Sequence, residues 1–379
     1  MYIDVRKKIM LDLYRVYITN TPDKVPKGAN VQTTPRGAKY YETDDIVRSD
    51  PGQSSFEHFT KATNPKPADF DFNTITPHLE AYTNISNQMA PLFARRKELN
   101  GQLEVLMNQL EELKRIKGNV KDRNKVRKES ENIMRELDWN VNDVINKLER
   151  QKHEALKPVY DQIFNHINTG VENQPSQIMQ SFSTPKDMSI LQKYFPNVPD
   201  QSFEHNLAAE HLYESIEPAT EWFTELTKGI PQTGPTYLYP LPPRRGFMAK
   251  NDDGTHFVLL AFSWAAGHHT FAKSCVHELG HVLEKSGNIK QQCIDFLNRR
   301  TQGEELVKLS DVTGRNYKEE MCKPDHFPDP YCGKIYDGTD ATEILSMGLQ
   351  YLYDDPVKFH EKDPDYFNFI INTLKGAKQ

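Results

Sequence analysis

A chain of 379 residues has ample length for a buried core and for two or three domains. With 37% hydrophobic and 26% charged residues and a net charge of −6, it reads as a water-facing protein with much exposed helix. No apolar run approaches the ~18 residues of a membrane span, and the modest negative charge gives no reason to expect nucleic acid as a main partner.

The first residues, Met1 to Lys8, lack the apolar core and cleavage site of a secretory signal. The expectation is a cytoplasmic protein, with delivery by a dedicated secretion route left open. Residues 1–75 are rich in Pro, Gly, Thr and Asp, with turn signals at Pro22–Gly28 and Ser49–Gly52, and read as a loosely ordered arm. A clear pattern follows. Ile85, Met89, Leu92, Leu99, Leu103, Leu106, Leu110 and Leu113 recur at four- and three-residue steps, interrupted at Arg96. Lys117-Gly118-Asn119 breaks that helix, and a second runs through Val126, Ile133, Leu137, Val144 and Leu148. This predicts an antiparallel helical hairpin over 76–165, either a rod that docks a protein partner or part of a larger bundle. A helical connector spans 166–230, and a proline-rich passage from Pro231 to Pro243 opens the last domain, 231–379. Because the heptads can bury their own seam, that last domain is expected to fold from about residue 230 without the hairpin.

Within it, His256 to Ser263 reads as a strand, with Phe257–Phe262 a candidate edge for an extended peptide. From about Thr270 a helical stripe of Phe271, Cys275, Val276, Leu279, Val282 and Leu283 runs to a stop at Ser286-Gly287-Asn288. That helix carries His277-Glu278-Leu279-Gly280-His281, an HExxH motif. Residues four apart share one helix face, so both imidazoles can bind one metal, and Glu278 lies beside them as a general base. The plainer alternative is an ordinary amphipathic helix. Against it stands the cost of turning ionisable groups inward without a partner.

Zinc with an open position needs a third protein ligand. The positions three and six beyond His281 are Glu284 and Gly287, so a third histidine on an extended helix is absent. Glu343, at the head of the stripe Ile344, Leu345, Gly348, Leu349 and Leu352, is the best candidate. Two readings of it remain open: a metal ligand, or the N3 member of a capping box begun by Asp340. Glu304, Glu305, Glu319 and Glu320 are alternative ligands, with His268, His269 and His326 as further candidates near the metal.

HExxH followed by a glutamate on a second helix resembles the gluzincin type of zinc metallopeptidase. In motif it is most similar to the catalytic domain of anthrax lethal factor and related bacterial toxin-type peptidases, over roughly residues 250–376. The shared features are a tyrosine, Tyr336, seven residues before Glu343, and a closing helix over Asp363–Asn372. The resemblance implies a zincin-like last domain with a small sheet and two active-site helices; with the helical coiled-coil region read from the heptads before it, the expected fold is mostly helical α+β. It also implies a zinc cofactor held by His277, His281 and Glu343, with Glu278 as base and Tyr336 as donor to the oxyanion; Tyr331 and Tyr317 are rivals for the last role. The substrate would be a protein or peptide. Alternatives are a catalytically inactive helical scaffold or phage- or secretion-associated structural protein, and a hydrolase of a non-peptide amide. The spacings of Cys275, Cys293, Cys322 and Cys332 match no zinc ribbon; reduced thiols are the default, with a Cys322–Cys332 disulfide as the alternative.

Overall fold

A computed structural model of the chain describes residues 15–17, 29–33, 39–46, 69–183, 189–194, 207–231, 234–241, 247–261, 267–336 and 338–378. The chain divides into two compact units. One comprises Met1–Lys66, Pro185–Asn206 and Asp337–Asp340. Its described strands are β1 (Arg15–Tyr17), β2 (Ala29–Thr33) and β3 (Lys39–Ile46), an antiparallel sheet in the order β1–β3–β2. These strands occupy part of the stretch expected as a loose arm, where aromatic and β-branched residues such as Val16, Tyr17, Val31, Tyr40 and Tyr41 suit a pleated surface.

The other unit comprises Pro67–Thr184, Leu207–Tyr336 and Ala341–Gln379. It begins with the hairpin. Helix α1 (Leu79–Arg115) runs outward, the chain reverses at Lys117 in the left-handed region, and α2 (Val120–Arg135) returns, capped by the Asn119 side chain on the Lys121 N–H. A π-helical stretch over Glu136–Asn142 leads into α3 (Asp143–Ala155). The seam is Met89, Leu99, Leu137, Val141, Ile145 and Leu148, flanked by Ile85, Leu92, Phe93, Leu103 and Ile133. Val144, expected in the stripe, is 41% exposed. The wider π turn shifts the helical phase after Leu137, so Val141 and Ile145 take the seam instead.

Helices α4 (Lys157–Ile167) and α5 (Leu207–Leu226) belong to the main core. Ile163, Ile167, Phe223, Leu226 and Ile230 are buried in one cluster with Val276, Leu279, Leu349 and Ile370. The boundaries expected at 165 and 230 therefore fall inside a continuous hydrophobic core, and the unit does not begin at 231. The foot of the hairpin is tied to the same body. The Tyr82 hydroxyl donates to Asp355 at 2.9 Å, the Tyr160 hydroxyl donates to the Tyr353 carbonyl at 2.5 Å, and buried Lys152 sits 3.3 Å from Glu149 and 3.6 Å from Asp355.

The larger sheet comprises β4 (Phe182–Ser183), β5 (Thr236–Leu241), β6 (Phe247–Lys250) and β7 (His256–Ala261), ordered β4–β5–β7–β6. Strands β4, β5 and β7 are parallel, and β6 pairs antiparallel with β7. Strand β7 is thus internal and not the edge expected for peptide binding; Phe262 lies outside the described residues. Its position explains the unbroken burial of His256 to Leu260. Strand β7 leads to α6 (Gly267–Leu283), followed by α7 (Ile289–Arg300). A second small sheet, β8 (Val307–Lys308), β9 (Met321–Cys322) and β10 (Lys334–Ile335), occupies much of the span between His281 and Glu343. Helices α8 (Ile344–Asp354), α9 (Pro356–Lys362) and α10 (Pro364–Gly376) close the unit. The fold is a mostly helical α+β structure, as expected. All four cysteines are buried free thiols, so Cys322 and Cys332 are not paired. Among the described residues no helix is long and apolar enough to cross a membrane.

Candidate metal centre

Helix α6 packs against α5, α8 and β7. Its expected stripe, Phe271, Cys275, Val276, Leu279, Val282 and Leu283, is buried throughout. The contact with α8 depends on Gly280, inside the HExxH motif. A Cβ there would lie 2.7 Å from the Ser346 Cα and 3.3 Å from its nitrogen, so only glycine lets the two backbones approach this closely. That approach brings the head of α8 onto the histidine face of α6.

Glu343 occupies the N-cap position of α8, and its side chain makes no capping hydrogen bond. The capping-box reading therefore fails. The carboxylate turns inward, 1% exposed, with Oε2 at 3.3 Å from His277 Nε2 and 3.3 Å from His281 Nε2. His277, His281 and Glu343 together can hold a metal ion, since one ligand atom from each lies within 4.8 Å of the others. The other glutamates considered are engaged elsewhere or exposed: Glu319 pairs with Lys308, Glu320 with Lys334, and Glu304 and Glu305 face solvent. His326 is exposed, and the side chains of His268 and His269 lie outside the described residues.

The cluster is electrostatically tight. Burial disfavours a charge on His281, but hydrogen bonds and attraction from Glu284 and Glu343 overcome it and push the imidazole up to about 10. Burial likewise works against a charged Glu343, yet the two imidazoles hold its carboxyl well below the usual carboxylate range. Without a metal the site is a buried carboxylate neutralised by an imidazolium; a cation can take over that role. Glu278 is buried at 6% exposure, and its negative charge adds to the pull on His281.

Several residues around the cluster escaped the sequence analysis. In the sequence Glu284 stands out only as a position where a third-histidine pattern fails. It is 1% exposed, accepts a 2.6 Å hydrogen bond from the Thr342 hydroxyl, and lies 3.9 Å from His281 Nδ1. That places a carboxylate behind a histidine, an arrangement that orients imidazole ligands; the i,i+3 spacing from His281 was the available signal. Ser346 donates to Glu343 Oε2 at 2.9 Å. Both Tyr336 and Tyr331 donate to Glu343 Oε1, the latter at 2.7 Å. Tyr331 is presented by a single 3-10 turn, Pro330–Gly333, whose Asp329 cap accepts the Tyr331 N–H, and its ring stacks on Tyr317 at 5.5 Å. Lys334 lies 4.1 Å from the centre of the Tyr336 ring. The three tyrosines weighed as rivals thus have distinct places: two on the carboxylate, and Tyr317 behind one of them.

Comparison of the chain with protein-family models, curated proteins and solved structures finds no match. What the chain does has to be read from the chemistry of these side chains.

Proposed function

We propose that this protein is a zinc-dependent peptidase of the gluzincin type, with His277, His281 and Glu343 as metal ligands and a protein or peptide as substrate. The observation that carries the reading is the convergence of two imidazole Nε2 atoms on one carboxylate oxygen, each at 3.3 Å, beside a buried glutamate. Ligands bound to zinc at about 2.0–2.1 Å at the corners of a tetrahedron stand roughly 3.3 Å apart, which both histidine–glutamate separations match. Two imidazoles also favour zinc over calcium or magnesium, which prefer oxygen ligands.

Bound zinc supplies Lewis acidity, which polarises a carbonyl and lowers the pKa of water. The protein supplies the rest. Glu278 takes the proton from the attacking water and returns it to the leaving amine. Tyr331, buried and anchored by its turn, holds Glu343 in place. Tyr336, half-buried, is the phenol better placed to swing toward substrate and donate to the oxyanion. Strand β6, at the end of the sheet among the described residues, offers its backbone to an extended peptide.

The test combines elemental analysis with a peptide-library cleavage screen. Wild type should carry one zinc and cleave. Glu278→Gln should keep zinc and fold while losing hydrolysis by about 100- to 10,000-fold. Glu343→Gln should fold normally and give up zinc to a mild chelator. Full hydrolysis by Glu278→Gln, or zinc retained in Glu343→Gln, overturns the reading.

A further inference from the structure

The hairpin's far end has a character unlike the rest of the chain. From Glu111 to Lys128 there are eight lysines and arginines against three carboxylates, Glu111, Glu112 and Asp122, so this end carries a net +5 on a chain whose total is −6. Glu111 and Glu112 are occupied by Lys114 and Arg115, one turn on. Among the described residues no ion pair engages Lys117, Lys121, Lys125 or Lys128, and all four are exposed. At the turn itself two aliphatic side chains face solvent, Ile116 at 59% and Val120 at 60% exposure. Neither is buried, unlike Leu110 and Val126 nearby. About 50 Å of helix, at 1.5 Å per residue, separates this turn from Tyr82, where α1 is bonded to the body.

We propose that the hairpin tip docks on an anionic phospholipid surface, with Ile116 and Val120 entering the interface and the surrounding lysines and arginines lying among the headgroups. Charge complementarity supports this occupant. Each cation near an anionic leaflet adds to binding, and long lysine and arginine stems can lie along apolar surface while their heads stay wet. The remaining, acidic part of the chain is repelled by the same surface, so the molecule approaches tip first. Nucleic acid fits less well: between Glu111 and Lys128 there is no aromatic side chain on which a base could stack, and the exposed aliphatics would be left in water. A protein interface is also disfavoured, because two aliphatic side chains on a short turn fall far below the ~800 Å² per partner of a stable complex. This surface is independent of the proposed metal site.

The experiment is co-sedimentation of the full chain with phosphatidylcholine vesicles, alone or containing about 30 mol% phosphatidylserine. Binding is expected only to the anionic vesicles, falling steeply with added salt. The variant Lys117→Glu/Lys121→Glu/Lys125→Glu/Lys128→Glu should lose at least about 100-fold in partitioning. Ile116→Ser/Val120→Ser, which leaves the charge unchanged, should also fall, by about tenfold or more, whereas binding confined to electrostatics would leave it unmoved. Both variants leave the seam untouched, and an unchanged circular dichroism melt and zinc content confirm the fold. No sedimentation with anionic vesicles at low salt overturns the proposal. So does equal binding by the charge-reversed variant, full binding by Ile116→Ser/Val120→Ser, or a tighter complex with duplex DNA or single-stranded RNA than with vesicles.

Discussion

The hairpin and the body belong to one compact unit but are held in different ways. Beyond its foot, the hairpin depends on one seam between antiparallel helices, six buried side chains with a partly exposed fringe, and leaves Val105, Met107 and Trp139 open to water. Helix α6, by contrast, is enclosed by α5, α8 and β7, and its stripe is buried throughout. Sequence distance follows the same division. The hairpin pairs neighbouring stretches of chain, whereas the bonds that hold the body join residues 273 positions apart in Tyr82–Asp355 and 193 apart in Tyr160–Tyr353. The distal half of the hairpin, residues 100–134, carries none of those six side chains, so its removal exposes little else. An enclosed core does not tolerate such a loss.

The sharpest way to break this contrast is truncation. A fragment beginning at residue 230 discards α4 and α5 and with them Ile163, Ile167, Trp222 and Phe223, opening the wall against which α6 and Tyr353 pack. Burial of each such side chain contributes about 1.5–3 kcal/mol, so losing the four together costs about 6–12 kcal/mol, comparable with the ~5–15 kcal/mol that holds an ordinary domain folded. The fragment is expected to be insoluble and metal-free. Replacing residues 100–134 by a short turn should instead leave a folded, metal-binding protein. A soluble, zinc-loaded fragment from 230 would mean that the body is not one core.

The same division decides what was legible in the sequence. Heptad spacing announced the hairpin, and the one-turn spacing of His277 and His281 announced two converging imidazoles, because both are properties of a single helix. The apolar stripe of α6 was readable for the same reason. The third member of the cluster required knowing that α8 crosses α6 at Ser346, which no local pattern states. Two readings of Glu343 therefore stayed open until its carboxylate was seen to face the histidines. The shared core across 165 and 230 was not legible, because helix periodicity reveals that a face is apolar but not what covers it. An unbroken apolar run at β7 does not disclose how many neighbours the strand has, so only the strand pairing decides between an edge and an internal strand.

Two glycine substitutions sharpen the comparison. Gly280→Ala places a methyl 2.7 Å from the Ser346 Cα, an atom that cannot move without its helix. Overpacking of this kind costs about 1–3 kcal/mol, and separating α6 from α8 draws Glu343 away from both imidazoles. A lower melting temperature and weaker zinc retention against a chelator are expected together. Gly101→Ala, in the middle of α1 with nothing within 4 Å of the added methyl, should stabilise by about 0.5–1 kcal/mol and leave zinc untouched. Tolerance at Gly280 equal to that at Gly101 would show that the helix crossing is looser than the 2.7 Å approach requires.

The smallest effect tests the phase of the hairpin seam. Uninterrupted heptads would bury Val144, yet Val141 is 3% exposed and Val144 is 41% exposed, with the π stretch Glu136–Asn142 just before the difference. Val141→Ala removes two buried methyl groups and should cost about 1–2 kcal/mol. Val144→Ala removes the same atoms from water and replaces a β-branched residue by the best helix former, so it should lie within about 0.5 kcal/mol of wild type or slightly above it. Chemical denaturation of the two variants compares them directly, since the substitution is identical and the sites are less than one turn apart. Equal costs would mean that the seam is plastic there. A larger cost at Val144 would place the helix in its α-helical phase, with the π turn absent in solution.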